Sequence, residues 1–569
     1  MYSLNAAKNP EPMQKTGNLL SALSKPRLVN AVGAVLILSL LGFYIFFTRA
    51  NLVTTFDDAY MFIRYANNAI AGHGIAWNPD GIQTYGATSL LYLLIIVLVR
   101  WFFPMAEASH LLTITSASLG ILFLITLGVG CARITHSNFL KKYPLLTGIV
   151  LAVLFLPSPG FLFHATSGMD TSISLLCNTF LIFTTLGWLK RNDGPGILLV
   201  IASAYVSFLA RPDNLIYSIM FPSLYMLLSS EEDRIKKTAW FLGGLAFLLL
   251  LDTAAKYMIF GDPLPLPFYA KTNGYDDGYA GAFRWNPISY LFDFFRLIFP
   301  FIVIIVFSAS GNIRKFLLVF FLPVLVTFTY YFSVVQIMGF YARYYFPAIP
   351  FFVVAAYLSL DHKLHNTTKE SKKYGYPYRL AVMIVCAFLL WMPSVKTSLA
   401  RAYQIAYIPK AHIYPIAVKY STDSTIQKLS WWESITAISE ISIRLPKGTK
   451  FALSEYGVVG AKAPQINIMD PLGLHDPFFA HHGFSAAEFF DRKPDLIWFP
   501  HPDYNKIISS ILDDPKFWAE YDYYPQAFDY GLAIRRDSEN YPAIYKAVED
   551  VWKIYYPSQE IEKSIAHSP

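Results

Sequence analysis

The sequence predicts a polytopic α-helical membrane protein that ends in a small soluble α/β domain. Three observations predict it. The chain of 569 residues is 54% hydrophobic and only 15% charged, where an ordinary soluble domain carries about 25% charged residues. Apolar runs of membrane-spanning length recur along most of it, and after residue 395 the pattern changes to short strand-like runs between charged helical stretches.

The N-terminal stretch 1–27 is polar, and the apolar run behind it has no small-residue cleavage site; it reads as a cytoplasmic N-terminus before a retained first span. A bilayer core needs about 20 apolar residues in a helix. Eleven runs qualify: 28–48, 109–131, 144–163, 170–189, 194–210, 213–228, 238–258, 288–309, 315–336, 343–360 and 379–395. The stretch 88–103 does not, because its uncharged part would cover only ~18 Å of a ~30 Å core at ~1.5 Å per residue.

Charge supports leaving it out. With the N-terminus inside, the loops on that side hold nineteen Lys and Arg, among them Arg133, Lys141, Lys142, Lys190, Arg191, Arg234 and Lys372. The opposite side, before the C-terminal region, holds only Arg49, Arg64, Arg100, Arg211, Lys256, Lys271, Arg284 and Arg343. This is the positive-inside distribution, and counting 88–103 as a span would invert every later loop. That stretch is therefore expected to lie along the outer membrane surface, paired with a similar helix over 58–71 in the first outer loop, 49–108.

From 396 to 569 the runs KFALSEYGVVGA, QINIMD, PDLIWFP and YGLAIRR read as strands, and AAEFFDRK as helix. The expected organisation is thus an N-terminal segment 1–27, a membrane domain 28–395 and an outer domain 396–569. The net charge of +7 is taken up by the orientation signal and is no sign of nucleic-acid binding. Cys131, Cys177 and Cys386 all fall in or beside apolar runs, so no disulfide framework is available.

Under this topology the ionisable residues that spans tolerate poorly gather on the outer side: Asp57 and Asp58, His164 and Asp170, Arg211 and Asp213, Asp262 and Lys271, and Arg343. Each has a plainer reading taken alone. Asp57 or Asp58 could cap the helix that follows, Arg211-Pro212-Asp213 could be an interfacial anchor with Pro at a helix start, Lys271 could be solvated, and Arg343 could snorkel to headgroups. His73, His164 and His475 lack metal-ligand spacing, and no metal or other cofactor is required, although Asp57 and Asp58 could hold a divalent metal. As a set, paired carboxylates can take a proton from a hydroxyl while arginines and a lysine hold a phosphate, the requirement of sugar transfer from a lipid-linked phosphate.

The ordered series DDAYMFIRYANNAIAGHGIAWNPDG, GATSLLY, SGMDT, ARPDN, FGDPLPLPFYAKT and YARYYFP resembles that of bacterial GT-C glycosyltransferases using polyprenyl-phosphate sugars, over about residues 28–395. The nearest resemblance is to arabinofuranosyltransferase-like enzymes, and EYGVVGAKAPQINIMDPLGLHDP is similar to a segment of their extracytoplasmic domain. The resemblance implies a multi-pass protein of the bacterial inner membrane with an extracytoplasmic active site. Its partners would be a polyprenyl-phosphate sugar donor, the lipid bilayer and an extracytoplasmic glycan or protein acceptor.

It also implies Asp57 and Asp58 as the catalytic pair and Lys271 and Arg343 at the donor phosphate; Asp57 is the expected base, and Arg211, expected at the same headgroup level, joins the phosphate set. Tyr60, Arg64, His73, His164, Asp170, Asp213 and Tyr269 would shape the substrate site. Asp170 and Asp213 stand where relatives usually have Glu, Asn214 replaces a usual Gly, and LPLP replaces the commoner LPNT. A flippase for lipid-linked sugars is the competing class; it would need ionisable groups along a path through the midplane, whereas here Asp252, Asp293 and Arg296 are the few charged residues within spans and the rest crowd one face.

Overall fold

The computed structural model describes residues 26–52, 56–191, 194–229, 232–273, 286–308, 313–332, 336, 339–370, 429–557 and 561. Most of this is helix. Five helices are long and apolar enough to cross a membrane, namely Asn30–Ala50, Ala108–Ile134, Arg234–Phe260, Pro287–Ser308 and the segment Phe340–His365. Thr171–Gly187, Gly196–Ala210 and Leu317–Tyr331 are shorter apolar helices. The expected span 379–395 and the boundary at 395 lie outside the described residues.

Two expected spans depart from a straight helix. The run 144–163 is broken into Leu145–Phe155 and Pro159–Thr166, bent by 83°. Pro157 and Pro159 explain the break, since proline offers no N–H and disfavours helix in the residue before it. The run 343–360 begins irregularly, with single 3-10 turns at Phe340–Ala342 and Phe346–Ala348, and becomes α-helical only over Ile349–Glu370. Arg343 therefore sits in a turn, not on a helix.

The stretch 88–103 forms a helix of 13 residues, Leu90–Phe102, capped by the Ser89 hydroxyl, which accepts the Tyr92 N–H. It packs on the Tyr60–Ile70 helix, with Phe62 and Tyr92 edge to face at 4.9 Å between ring centroids. Trp101, Phe102 and Phe103 at its end are well exposed.

The C-terminal domain is built on a five-stranded sheet of order β2-β1-β3-β5-β4, with β1 Lys450–Ala452, β2 Asn467–Met469, β3 Leu496–Trp498, β4 Tyr521–Tyr524 and β5 Leu532–Arg535. β1 runs parallel to β2 and β3, and β5 is antiparallel to β3 and β4. Strand alternation divides the core. Phe451, Leu496, Trp498 and Ile534 join the large core with the Trp431–Arg444 and Tyr541–Tyr555 helices, while Ala452, Ile497 and Ala533 pack beneath Phe479, Phe489, Phe490 and Phe517. Each strand run read from the sequence supplies one strand, but the second half of KFALSEYGVVGA is the helix Gly457–Lys462. β4 is rich in tyrosine and was not expected.

Candidate active site at the junction of the two domains

Asp57, Asp58 and Ala59 form one 3-10 turn leading into the Tyr60–Ile70 helix. The caps of these elements are Phe56 and Ala59, without side-chain hydrogen bonds, so neither aspartate caps its own helix. Asp57 instead caps a helix 400 residues away. Its buried carboxylate accepts the Gly457 N–H at 2.9 Å and the Val458 N–H at 2.8 Å. The backbones touch here: a Cβ on Gly457 would stand 1.9 Å from the Asp57 carbonyl oxygen. Burial pushes the Asp57 carboxyl up to about 7 against the pull of both amides.

Arg64 fastens the same junction. It is 1% exposed and has no carboxylate partner among the described residues. Nε donates to the Trp77 carbonyl at 2.6 Å, Nη1 to the carbonyls of Gly460 and Ala463 at 3.1 and 3.3 Å, and Nη2 to Asn78 Oδ1 and the Ile468-flanking carbonyl of Ile466, each at 2.9 Å. Asn78 pairs with β2, accepting the Ile468 N–H at 2.8 Å and donating to its carbonyl at 3.0 Å. His475 stacks on Trp77 with centroids 3.8 Å apart, and its Nδ1 lies 2.9 Å from the Tyr65 hydroxyl. That hydroxyl also accepts the Gly86 N–H at 3.1 Å. Burial and the neighbouring Arg64 hold His475 well below its ordinary range, hence neutral.

Asp58 is half-buried. Burial raises its carboxyl, Arg343 and Lys271 lower it and Asp170 raises it; Asp57 and Glu455 also feel its charge. Arg343 and Arg211 share Asp170 at 3.2 and 3.7 Å. Arg211 also binds Asp213 through Nε and Nη2 at 3.0 and 2.7 Å, and the Tyr331 hydroxyl donates to Asp213 at 2.6 Å. Among the described residues, two buried guanidinium donors, Arg343 Nε and Arg211 Nη1, make no hydrogen bond.

The supports of this group are local. Gly168, at φ +73°, makes the turn before Asp170, and a Cβ there would meet the Leu112 Cβ at 2.8 Å. Arg343 follows Tyr341 and Ala342, both at positive φ (50° and 62°), a conformation costly for non-glycine residues. His164 lies 3.1 Å from the Tyr341 carbonyl and packs edge-on to Phe346, steadying that turn. Asn214, the unusual residue of ARPDN, bonds Ser174 and the Ser207 carbonyl and accepts from Asn178, linking neighbouring helices.

The structure thus brings Asp58, Asp170, Asp213, Arg211, Lys271 and Arg343 together, with His164 behind them. Asp57 and Arg64 belong to the domain junction. Tyr60 is buried and bonded to Ser109. His73 lies in the turn after the Tyr60–Ile70 helix, its main chain bonded to Asn68 and Gln83. Lys271 is exposed on the Leu266–Asn273 helix, whose Tyr269 ring lies 4.3 Å from His481; His481 also binds Asp262 at 2.8 Å.

Glu455 was missed by sequence reasoning, although it opens the quoted segment EYGVVGA. It comes two residues before the amides that hold Asp57. Burial raises its carboxyl well above the usual range, as do Asp57, Asp58 and Asp503. Among the described residues, no group of three His, Cys, Asp or Glu is arranged to hold a metal ion.

Neither a protein-family model nor a curated protein matches the sequence. Solved structures do match. ArnT from Cupriavidus metallidurans in the apo state superposes with a TM-score of 0.52 at 12% identity, over 88% of this chain and 97% of that one. The chain has the GT-C fold. A second GT-C structure, the archaeal oligosaccharyltransferase AglB from Archaeoglobus fulgidus in complex with an inhibitory peptide and a dolichol-phosphate, aligns over 90% of this chain and 77% of its own. Its TM-score is 0.41 and its identity 13%. In this GT-C chain the turn with the paired aspartates meets the C-terminal domain directly.

Proposed function

We propose that the protein is a membrane glycosyltransferase that moves a sugar from a polyprenyl monophosphate donor to an acceptor hydroxyl on the outer face of a bacterial inner membrane. The observation that carries this reading is the pair of arginines, Arg343 and Arg211, gathered on Asp170 at 3.2 and 3.7 Å, each with a buried guanidinium donor that makes no hydrogen bond among the described residues. Such donors are suited to phosphate oxygens.

Asp58, rather than Asp57, is the base in this reading, because the Asp57 oxygens are taken up by Gly457 and Val458. Its raised pKa makes it a better proton acceptor than an ordinary aspartate. Asp58 takes the proton from the acceptor hydroxyl, that oxygen bonds to the anomeric carbon, and the bond from that carbon to the phosphate oxygen breaks. The polyprenyl monophosphate leaves with the electron pair, its added negative charge met by Arg343, Arg211 and Lys271. Asp170 and Asp213 hold the two arginines in place. A single displacement of this kind inverts the anomeric centre.

The motif resemblance favours a pentofuranose such as arabinofuranose as the transferred sugar, and the excess of Lys and Arg on one side favours the orientation. The test is reconstitution with radiolabelled polyprenyl-phosphate pentose and candidate acceptors. Asp58→Asn is expected to lower turnover by ~10²-fold or more, within the range general bases contribute. Full turnover in Asp58→Asn would remove the base assignment.

A further inference from the structure

The C-terminal sheet has a topological switch point. From β1 the chain passes through the Gly457–Lys462 helix to β2 on one side, and from β2 through the Pro477–His482 and Ala486–Asp491 helices to β3 on the other side of β1. In such sheets ligands bind outside the carboxyl ends of the strands where the order reverses. Here those ends carry Ser454 and Glu455 after β1, and His501 and Asp503 after β3. The Ser454 hydroxyl accepts the His501 N–H at 3.3 Å, joining the two ends. His501 Nδ1 lies 3.2 Å from an Asp503 carboxylate oxygen, with side-chain exposures of 26% and 37%, so both are within reach of a ligand.

Two further features converge. The connection between β4 and β5 comes to the same place, with Tyr530 against His501 at 5.4 Å and stacked on Trp498 at 5.0 Å. It holds three non-glycine residues at positive φ, Gln526, Phe528 and Asp529. Strain of this kind persists only where the surroundings enforce it. And the strand end is pressed against the turn of the aspartates, since Gly457 and Val458, directly beyond Glu455, hold Asp57.

We infer that the carboxyl ends of β1 and β3 form the acceptor subsite, and that the acceptor is a carbohydrate held by Glu455, His501 and Tyr530 with one hydroxyl directed at Asp58. Carboxylate and imidazole groups suit the several hydroxyls of a sugar, and an aromatic ring suits its C–H face. A protein acceptor would present one hydroxyl and would not need this set. This inference rests on the proposed glycosyl transfer.

The test uses the full-length protein in nanodiscs, with two separate readings. A labelled preparation is applied to an array of short bacterial cell-envelope oligosaccharides, and its affinity for undecaprenyl monophosphate is measured in parallel. Glu455→Gln and Tyr530→Ala variants are expected to lose glycan binding at least ten-fold while keeping undecaprenyl monophosphate affinity within two-fold; Arg343→Ala is expected to do the reverse. Unchanged glycan binding in Glu455→Gln and Tyr530→Ala, or no glycan bound by the wild type, overturns the acceptor subsite. Unchanged undecaprenyl monophosphate affinity in Arg343→Ala overturns the donor reading instead. Equal amide exchange over 457–466 in variant and wild type establishes that the junction is folded.

Discussion

Replacing Arg64 by methionine tests the domain junction most directly. Methionine keeps much of the side-chain volume but removes every donor. The carbonyls of Gly460, Ala463 and Ile466 in the C-terminal domain, with that of Trp77 and the Asn78 amide oxygen, then lose their guanidinium partner. A buried acceptor left unsatisfied costs about 1–3 kcal/mol. Three on the C-terminal side set an upper limit near 9 kcal/mol, and relaxation and water entry bring the expected loss to ~3–5 kcal/mol, the range for breaking a buried charged contact. At about 1.4 kcal/mol per tenfold, amide exchange over 457–466 is expected to accelerate by roughly 10²–10³-fold or more, while exchange in the Ala108–Ile134 helix stays as in the wild type. Exchange over 457–466 within about three-fold of wild type would refute the reasoning, because it would mean that these bonds do not hold the domain in place.

The same junction is expected to depend on pH. The Asp57 carboxyl titrates near 7 in the native protein and near 3.8 when unfolded, so between those values the native state holds the extra proton and stability falls as pH rises. Thermal unfolding followed from pH 4 to 8 should show this fall, and Asp57→Asn should flatten it. Gly457→Ala places a Cβ 1.9 Å from the Asp57 carbonyl oxygen; a shift of the contacting backbone of this kind costs about 1–3 kcal/mol, read as faster exchange at 457–458 and reduced turnover. Asn78→Ala removes both bonds to Ile468 and one to Arg64, and is expected to expose β2 to limited proteolysis at lower protease concentration than in wild type.

Much of the architecture is legible in the sequence because lipid imposes it. Long apolar runs must become helices to satisfy their own backbone, and so the runs over 28–48, 109–131 and 238–258 correspond to long helices. The short stretch 88–103 gives a short helix for the same reason. The break in 144–163 was also written locally, in Pro157 and Pro159, but its 83° bend is a matter of packing. β1, β2, β3 and β5 were readable from their runs of apolar residues; β4 was not, because YDYY has no clear inward-outward alternation.

The site divides in the same manner. Sequence by itself determined which ionisable residues needed explaining, since charges near spans are costly wherever the chain goes. It could not determine their partners. Asp57 and Asp58 are adjacent and chemically identical, and one turn of 3-10 helix sends them to different neighbours, Asp57 to the amides of Gly457 and Val458, Asp58 toward Arg343 and Lys271. Arg64 finds its partners about 400 residues along the chain, and Glu455 gains its significance only by standing beside a turn from the other end of the molecule. Hydrogen bonds and charge interactions act over a few ångströms of space, without regard to sequence separation. The tertiary structure alone therefore decided which aspartate the C-terminal domain holds.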